Sequence, residues 1–249
     1  MLSFWVLKYL REIIEKKNAG YFVLIDPEEC KIEKCSKISR EIENAGADAI
    51  LVGGSLLTCD LHPIVESLKK ETTLPIILFP GDSTHLTPHA DAILFMSLIS
   101  GRNPNYLIGE QVKAAPLIRR YSLEPIPTGY ILIDGGNRTA VEFMSGTFPI
   151  PRDKPDIVGP HALAAEYLGM KMVYLEAGSG ADLPVPKQIV SYVKKQINIP
   201  LIVGGGIRTP EIAHKLVNAG ADFVVIGNIL EECGSTEKMK EFANAIQKG

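Results

Sequence analysis

Eight short apolar runs recur along the chain, and they are continuous rather than alternating with polar residues. They lie at 21–26, 49–54, 75–80, 92–97, 129–134, 171–176, 200–205 and 223–228. Continuous runs are typical of parallel strands that are covered on both faces. Helical patterns separate most of them, at 36–45, 62–70, 105–120, 156–168, 186–196, 209–219 and 235–247. The alternation predicts an α/β fold, a (β/α)₈ barrel of the TIM type, as a single domain over residues 1–249.

One unit of this barrel is too short to hold a helix. Between the third and fourth runs the chain has only Asp82 to Asp91, DSTHLTPHAD, and Pro88 interrupts it. We therefore expect the third helix to be missing or replaced by an irregular segment, which leaves a gap where a long apolar ligand could lie. Gly135 to Asp153 is rich in Gly, Thr and Pro and predicts a loop over the end of strand five. Apolar residues between Leu2 and Ile14 predict a helix that closes the barrel bottom or packs on the body of the protein, rather than lying on a membrane.

The composition limits which binding partners are expected for this chain. A net charge of -3, a pI near 6.0 and the lack of a basic run with interleaved aromatics argue against nucleic acid. No run reaches the roughly 18 apolar residues that a membrane span needs, so at most a transient contact with a membrane surface is expected. The N-terminus lacks a basic leader with a cleavage site, which predicts a cytoplasmic protein.

Three consecutive strands end in glycine, in the stretches YLEAGSGA, IVGGGIRTPE and VIGNILEE. In a barrel these ends share one face, where exposed backbone N–H groups can form a nest for an anion. Thr209 and Pro210 are expected to begin the next helix and aim its N-terminus at the same place. We therefore predict a phosphate site. The alternative is that the glycines serve only tight turns.

Carboxylates at the ends of other strands suggest a metal site and a proton acceptor. Asp26 ends the first run, and Ser55 follows the second after two glycines. One carboxylate and one hydroxyl suit Mg²⁺, which keeps waters and takes phosphate oxygens as ligands, although Asp26 could merely cap a turn. Glu176 ends the sixth run beside the glycines, where it could accept a proton from a ligand hydroxyl or serve only as a hydrogen-bond acceptor.

Taken together, the motifs resemble one family, the geranylgeranylglyceryl phosphate synthases, over nearly the whole chain. The stretches that carry the resemblance are LIDP at 24–27, GGS at 53–55, LFPG at 78–81, TGYILIDGG at 128–136, YLEAGSGA at 174–181, VGGGIRTPE at 203–211 and IGN at 226–228. IPTGYILIDGG and HALAAEYLGMK are most similar to the larger archaeal and Bacteroidetes-type group. The resemblance implies a modified barrel without a regular third helix.

The resemblance also implies an activity, in which the C3 hydroxyl of sn-glycerol 1-phosphate is joined to C1 of geranylgeranyl diphosphate and diphosphate is released. Asp26 and Ser55 match the family's Mg²⁺ site, and Glu176 matches its proposed base. The positions that match its glycerol phosphate site are Tyr174, Leu175, Glu176, Ala177, Gly178, Ser179, Gly180, Gly205, Gly206, Gly227 and Asn228.

Two other classes of protein stay open at this point. A phosphosugar isomerase or aldolase of the same fold would also need the glycine nest and Glu176, and a non-catalytic phosphate-ligand sensor would need the nest alone. A prenyl substrate would further require an apolar groove, for which the candidates are Leu78, Phe79, Phe95, Met96, Leu98, Tyr106 and Tyr130. Apolar residues at 106–108 predict a homo-oligomer, a dimer or a hexamer as in the resembled family.

Overall fold

The computed structural model describes residues 4–227 and 236–247 of the chain. Eight parallel strands form a closed barrel in chain order, and β8 pairs with β1. The strands are β1 Gly20–Ile25, β2 Ala49–Val52, β3 Ile76–Leu78, β4 Ala92–Leu98, β5 Glu124–Leu132, β6 Met172–Glu176, β7 Leu201–Gly204 and β8 Phe223–Ile226. The predicted barrel is confirmed.

Helices surround the strands. They are α1 Val6–Lys17, α2 Ile32–Asn44, α3 Leu61–Lys69, α4 Glu110–Tyr121, α5 Ala140–Ser145, α6 Pro155–Tyr167, α7 Lys187–Lys194, α8 Pro210–Asn218 and α9 Thr236–Gln247. A π-helical segment, Asn105–Gly109, leads directly into α4. Within the described ranges, no helix has the length and apolar character that crossing a membrane would require.

Side chains alternate between two apolar layers, as the pleat of a strand requires. In β4, Leu94 and Met96 point into the barrel, whereas Ile93 and Phe95 belong to the layer between the strands and the helices. Both layers are buried across most strands, which explains why the runs in the sequence are continuous.

The expected gap in the helical ring is confirmed. Residues 79–91, which lead from β3 to β4, contain turns and bends but no helix. Side chains hold this irregular segment in place. Glu110 at the start of α4 accepts the N–H of Ser83 at 2.9 Å, and Asp82 accepts the N–H of Thr84 at 2.7 Å. The segment is therefore an ordered replacement for the helix.

The bottom of the barrel is closed by α1, as predicted. Val6, Leu10 and Ile13 pack into the inner layer. The Glu124 carboxylate accepts the N–H groups of Val6 and Leu7 at 2.7 and 2.9 Å, so it supplies partners for the first amide groups of this helix.

Two regions differ most from the sequence-based boundaries. Strand β5 begins at Glu124, about five residues before the predicted run, and includes Pro125 and Pro127. The Pro127 carbonyl accepts the N–H of Lys171 just before β6 begins, so this edge of β5 faces β6. The nitrogens of Pro125 and Pro127 point to the same edge. Because β6 has not begun there, no strand needs an N–H donor at these two positions. The predicted loop 135–153 contains α5, and Ile150 forms a bridge to Ile133.

Candidate active site

A cavity of about 630 Å³ opens at the carboxyl ends of the strands. Most of the residues predicted for function line it. They are Asp26, Ser55, Tyr174, Glu176, Ser179, Gly180, Gly205, Gly206 and Gly227. These residues follow five different strands, and closure of the barrel brings the strand ends together.

Three of the predicted substrate-binding residues lie beside the cavity rather than in its lining. Leu175 and Ala177 alternate with Tyr174 and Glu176 and are buried in the outer apolar layer. Gly178 contributes through its backbone, because its N–H donates to Glu176. Asn228 lies outside the described residues.

Glu176 is almost completely buried, with 5% of its surface exposed. Its Oε1 atom accepts the N–H of Gly178 at 2.6 Å. Burial raises the pKa of this carboxyl from 4.5 to about 7, and hydrogen bonding from Gly178, Tyr174 and Ala177 opposes the rise. A carboxyl with a pKa near neutrality can both accept and return a proton at physiological pH, as a general base requires.

The Tyr174 hydroxyl lies close to this carboxylate, and the negative charge of Glu176 adds to the effect of burial in raising the pKa of Tyr174. The hydroxyl is buried, and among residues 4–227 and 236–247 its polar neighbour is the Glu176 carboxylate, at a geometry short of a well-formed hydrogen bond.

Three aromatic rings form a cluster beside Glu176. Phe79 stacks on Tyr174 with ring centroids 5.3 Å apart, and Tyr130 lies 5.4 Å from Tyr174 and 6.2 Å from Phe79. All three rings line the cavity. Burial, and after it the charge of the nearby Glu176, raises the pKa of both Tyr130 and Tyr174.

The glycine stretches form a close backbone cradle. Gly205 has φ +83°, and a Cβ atom there would lie 2.3 Å from Glu176 Oε1 and 2.7 Å from Gly178 N. Only glycine can occupy this position. Gly227 differs, because among the described residues a Cβ atom there would meet nothing nearer than Leu24 at 3.7 Å. Its backbone faces open cavity.

Helix α8 begins directly after this cradle. Thr209 caps it by accepting the N–H of Ile212 at 3.4 Å, and Pro210 is its first residue, as predicted. The N-terminus of a helix carries partial positive charge and exposed N–H groups. The cradle and the helix together suit an anionic oxygen.

Asp26 and Ser55 line the other side of the same cavity. Asp26 Oδ1 accepts the N–H of Glu28 at 2.9 Å, and its Oδ2 lies against Gly54, where a Cβ atom would be 3.1 Å away. No group of three or more His, Cys, Asp or Glu side chains in the described part of the chain could hold a metal ion. The donor set fits an ion that takes its remaining ligands from water and substrate, as Mg²⁺ does.

An apolar lobe of the cavity extends toward the gap in the helical ring. Of the predicted groove residues, Phe79, Phe95, Met96, Leu98, Tyr106 and Tyr130 line the cavity. Leu78 does not line it. Sequence reasoning missed Leu86, Ile93 and Ala114, which also line this lobe. Ile93 lies two residues before Phe95 in the same strand, so the two side chains share the outward face. This spacing could have identified Ile93 from the sequence.

Basic side chains at the rim were also missed. Lys31, Lys34 and Arg208 are exposed and line the cavity mouth. The two lysines come shortly after Asp26, in the stretch CKIEK, so the sequence contained the signal. Their charge attracts anionic ligands toward the mouth.

Several known proteins are similar to this chain in both sequence and fold. A geranylgeranylglyceryl phosphate synthase from Pyrococcus furiosus is 45% identical over 98% of this chain and 97% of its own length. One from Spirosoma linguale is 43% identical over 90% of each chain. The crystal structure of (S)-3-O-geranylgeranylglyceryl phosphate synthase from Thermoplasma acidophilum, in complex with its substrate sn-glycerol-1-phosphate, matches with a TM-score of 0.91 and 39% identity over 96% of this chain and 98% of that one.

The profile of the PcrB family matches residues 11–246, which is nearly the whole chain. The relatives of this chain carry the name of the enzymes that its sequence motifs resemble. The chain belongs to the PcrB family and to its geranylgeranylglyceryl phosphate synthases.

Proposed function

We propose that this protein transfers the geranylgeranyl group of geranylgeranyl diphosphate to the C3 hydroxyl of sn-glycerol 1-phosphate and releases diphosphate. One observation carries the proposal. A single cavity contains a glycine cradle with Glu176 beside it, the Asp26 and Ser55 pair, and an apolar lobe in the gap of the helical ring. This combination matches a substrate pair in which one member is a small phosphate and the other is a prenyl diphosphate.

In the reaction, Glu176 removes the proton of the C3 hydroxyl as the oxygen attacks C1 of the prenyl group. The new C–O bond forms while the bond from C1 to the diphosphate oxygen breaks, and the diphosphate leaves with its electron pair. The raised pKa of Glu176 makes it a stronger base than an exposed carboxylate. The backbone cradle fixes the phosphate so that the hydroxyl is held in line with C1.

Asp26 and Ser55 would hold Mg²⁺, which when bound neutralises charge that develops on the diphosphate. Lys31 and Lys34 at the rim attract the same anion. The rings of Phe79, Tyr130 and Tyr174 lie between the two phosphate regions and exclude water from the reacting carbon.

The apolar lobe predicts which prenyl chain is preferred. Burial contributes roughly 0.8 kcal/mol per methylene-sized group, so the five carbons of one isoprene unit contribute up to about 4 kcal/mol. We expect twenty-carbon geranylgeranyl diphosphate to outcompete fifteen-carbon farnesyl diphosphate by at least about tenfold in kcat/KM. Equal use of the shorter chain would show that the lobe does not hold the end of the prenyl group.

The test of the proposal is an assay with labelled sn-glycerol 1-phosphate and geranylgeranyl diphosphate, with and without Mg²⁺. Formation of the prenyl ether supports the proposal. An isomerase or aldolase would leave prenyl diphosphate unused, and a sensor would bind glycerol phosphate without turnover. Calorimetry with prenyl diphosphate separates these outcomes, because neither alternative requires that ligand to bind.

Other properties predicted from the sequence remain predictions. These are the cytoplasmic location, the transient contact with a membrane surface and the homo-oligomeric assembly. For assembly, the support is an exposed apolar face where the π-helical segment continues into α4, with Ile108 59% and Val112 65% exposed. Such residues four positions apart lie on the same side of a helix and suit contact with a second copy.

A further inference from the structure

Two loops at the cavity mouth pack backbone against backbone. One carries Gly53 to Ser55 and the other carries Phe79 to Gly81. A Cβ atom on Gly53 would lie 1.8 Å from the Phe79 carbonyl oxygen. One on Gly81 would lie 2.7 and 2.8 Å from the carbonyl oxygens of Gly54 and Ser55. The position of Ser55 therefore depends on where the second loop lies.

His85 fixes the second loop from within the irregular segment. Its side chain is buried, with 4% of the residue exposed, and its Nδ1 atom accepts the N–H of Gly81 at 3.1 Å. A backbone N–H can only donate, so Nδ1 carries no proton and the neutral ring has its proton on Nε2. Burial lowers the pKa of His85, which favours this neutral form.

We propose that His85 is a positioning residue for the Asp26 and Ser55 site. By accepting the Gly81 N–H it holds Gly81 against the carbonyls of Gly54 and Ser55, and Gly54 in turn lies against the Asp26 carboxylate. The irregular segment that replaces the third helix thus sets the geometry of the metal and diphosphate subsite. This inference rests on the proposed function of that subsite.

The experiment compares two kinds of substitution. His85→Leu removes the acceptor, whereas His85→Asn can place its amide oxygen near the position of Nδ1 and keep the bond to Gly81. A matched control is His62→Leu. His62 also holds the irregular segment, through a bond of 2.9 Å between its Nδ1 and Thr87 Oγ1, but Thr87 does not line the cavity, whereas Gly81 does.

The readouts are calorimetric binding of geranylgeranyl diphosphate with Mg²⁺, binding of sn-glycerol 1-phosphate, and the midpoint of thermal unfolding. We expect His85→Leu to weaken diphosphate binding by about tenfold, because a displaced Gly81 shifts Ser55. Glycerol phosphate binding should stay within about twofold, since the glycine cradle lies on other strands. His85→Asn should recover most of the loss, and His62→Leu should lower only the unfolding midpoint.

Normal diphosphate binding by His85→Leu would overturn the proposal and leave His85 a structural residue of the fold. If that variant does not fold, His85→Met takes its place, and failure of both to fold would overturn the proposal in the same way. Failure of the proposed function is a different result. There the wild-type protein itself would show no Mg²⁺-dependent binding of the prenyl diphosphate, and the positioning role would be overturned with it.

Discussion

Replacement of Glu176 by glutamine separates the stability of this site from its chemistry. The structure gives Glu176 a pKa of about 7 in place of 4.5, a difference of about 2.5 units. At 1.36 kcal/mol per unit, ionising the buried carboxyl costs the folded state about 3 kcal/mol. Glu176→Gln cannot ionise, and its amide oxygen can still accept the N–H of Gly178.

The sign of the pH dependence follows from the raised pKa. Between pH 4.5 and about 7 the folded protein keeps the Glu176 proton while the unfolded chain has lost it, so this group's contribution to stability falls as the pH rises. Glu176→Gln should therefore unfold at a higher temperature than wild type at pH 8, and the difference should shrink at pH 5. At about 2–4 °C per kcal/mol, the gain at pH 8 is at most about 6–12 °C.

Turnover should change in the opposite direction. Loss of the base should reduce kcat on the order of 10²-fold or more while glycerol phosphate still binds. In wild type, kcat/KM should fall about tenfold per unit below pH 7. The phosphate of the substrate has a pKa near 6, so the residual activity of Glu176→Gln is the control. Any pH dependence left in the variant belongs to the substrate.

Two results would refute this reasoning. Full turnover by Glu176→Gln would remove Glu176 from the reaction. An unfolding midpoint that differs from wild type equally at pH 5 and pH 8 would show that the folded-state pKa of Glu176 is not raised.

Three further changes test the two phosphate regions and the assembly. Asp26→Asn should weaken prenyl diphosphate binding and raise the Mg²⁺ requirement without altering glycerol phosphate affinity, and equal weakening of both ligands in calorimetry would contradict the metal assignment. Gly227→Ala should keep the unfolding midpoint, since its Cβ has room beside Leu24 at 3.7 Å, but should weaken glycerol phosphate binding at least about tenfold; normal affinity would mean that this glycine only makes a turn. Val112→Glu should lower the particle mass in light scattering, and an unchanged mass would exclude the Val112 face of α4 from the interface.

Features that depend on local pattern were predictable from the sequence. The eight strands follow from continuous apolar runs, and the missing helix follows from the length of the segment around Pro88. The carboxyl ends of parallel strands must lie on the same side of a barrel, so Glu176 and Gly205 had to come together. None of these inferences needs the packing of a particular side chain.

Features that depend on long-range packing could not be predicted. The start of β5 was missed because prolines usually end a strand, and only the late start of β6 makes Pro125 and Pro127 acceptable there. The bond between His85 and Gly81 requires the fold of the irregular segment, for which no periodicity exists. The raised pKa of Glu176 depends on the burial of its side chain, which requires closure of the barrel by strands that are far apart in the sequence.

The proposed reaction gives a physical reason for a phosphate cradle made of backbone N–H groups. A lysine or arginine among the cradle residues would lie beside Glu176, favour its charged form and lower its pKa. The carboxylate would then be a weaker base at the pH where it works. Neutral donors at Gly205 and Gly206 and the N-terminus of α8 can hold an anion while adding less positive charge beside Glu176. The Arg208 guanidinium lies at the rim instead, where it donates to the Ala181 carbonyl at 3.1 Å. This hydrogen bond holds the guanidinium against the loop that follows β6. In the proposed reaction, the glycines thus serve the base as well as the phosphate.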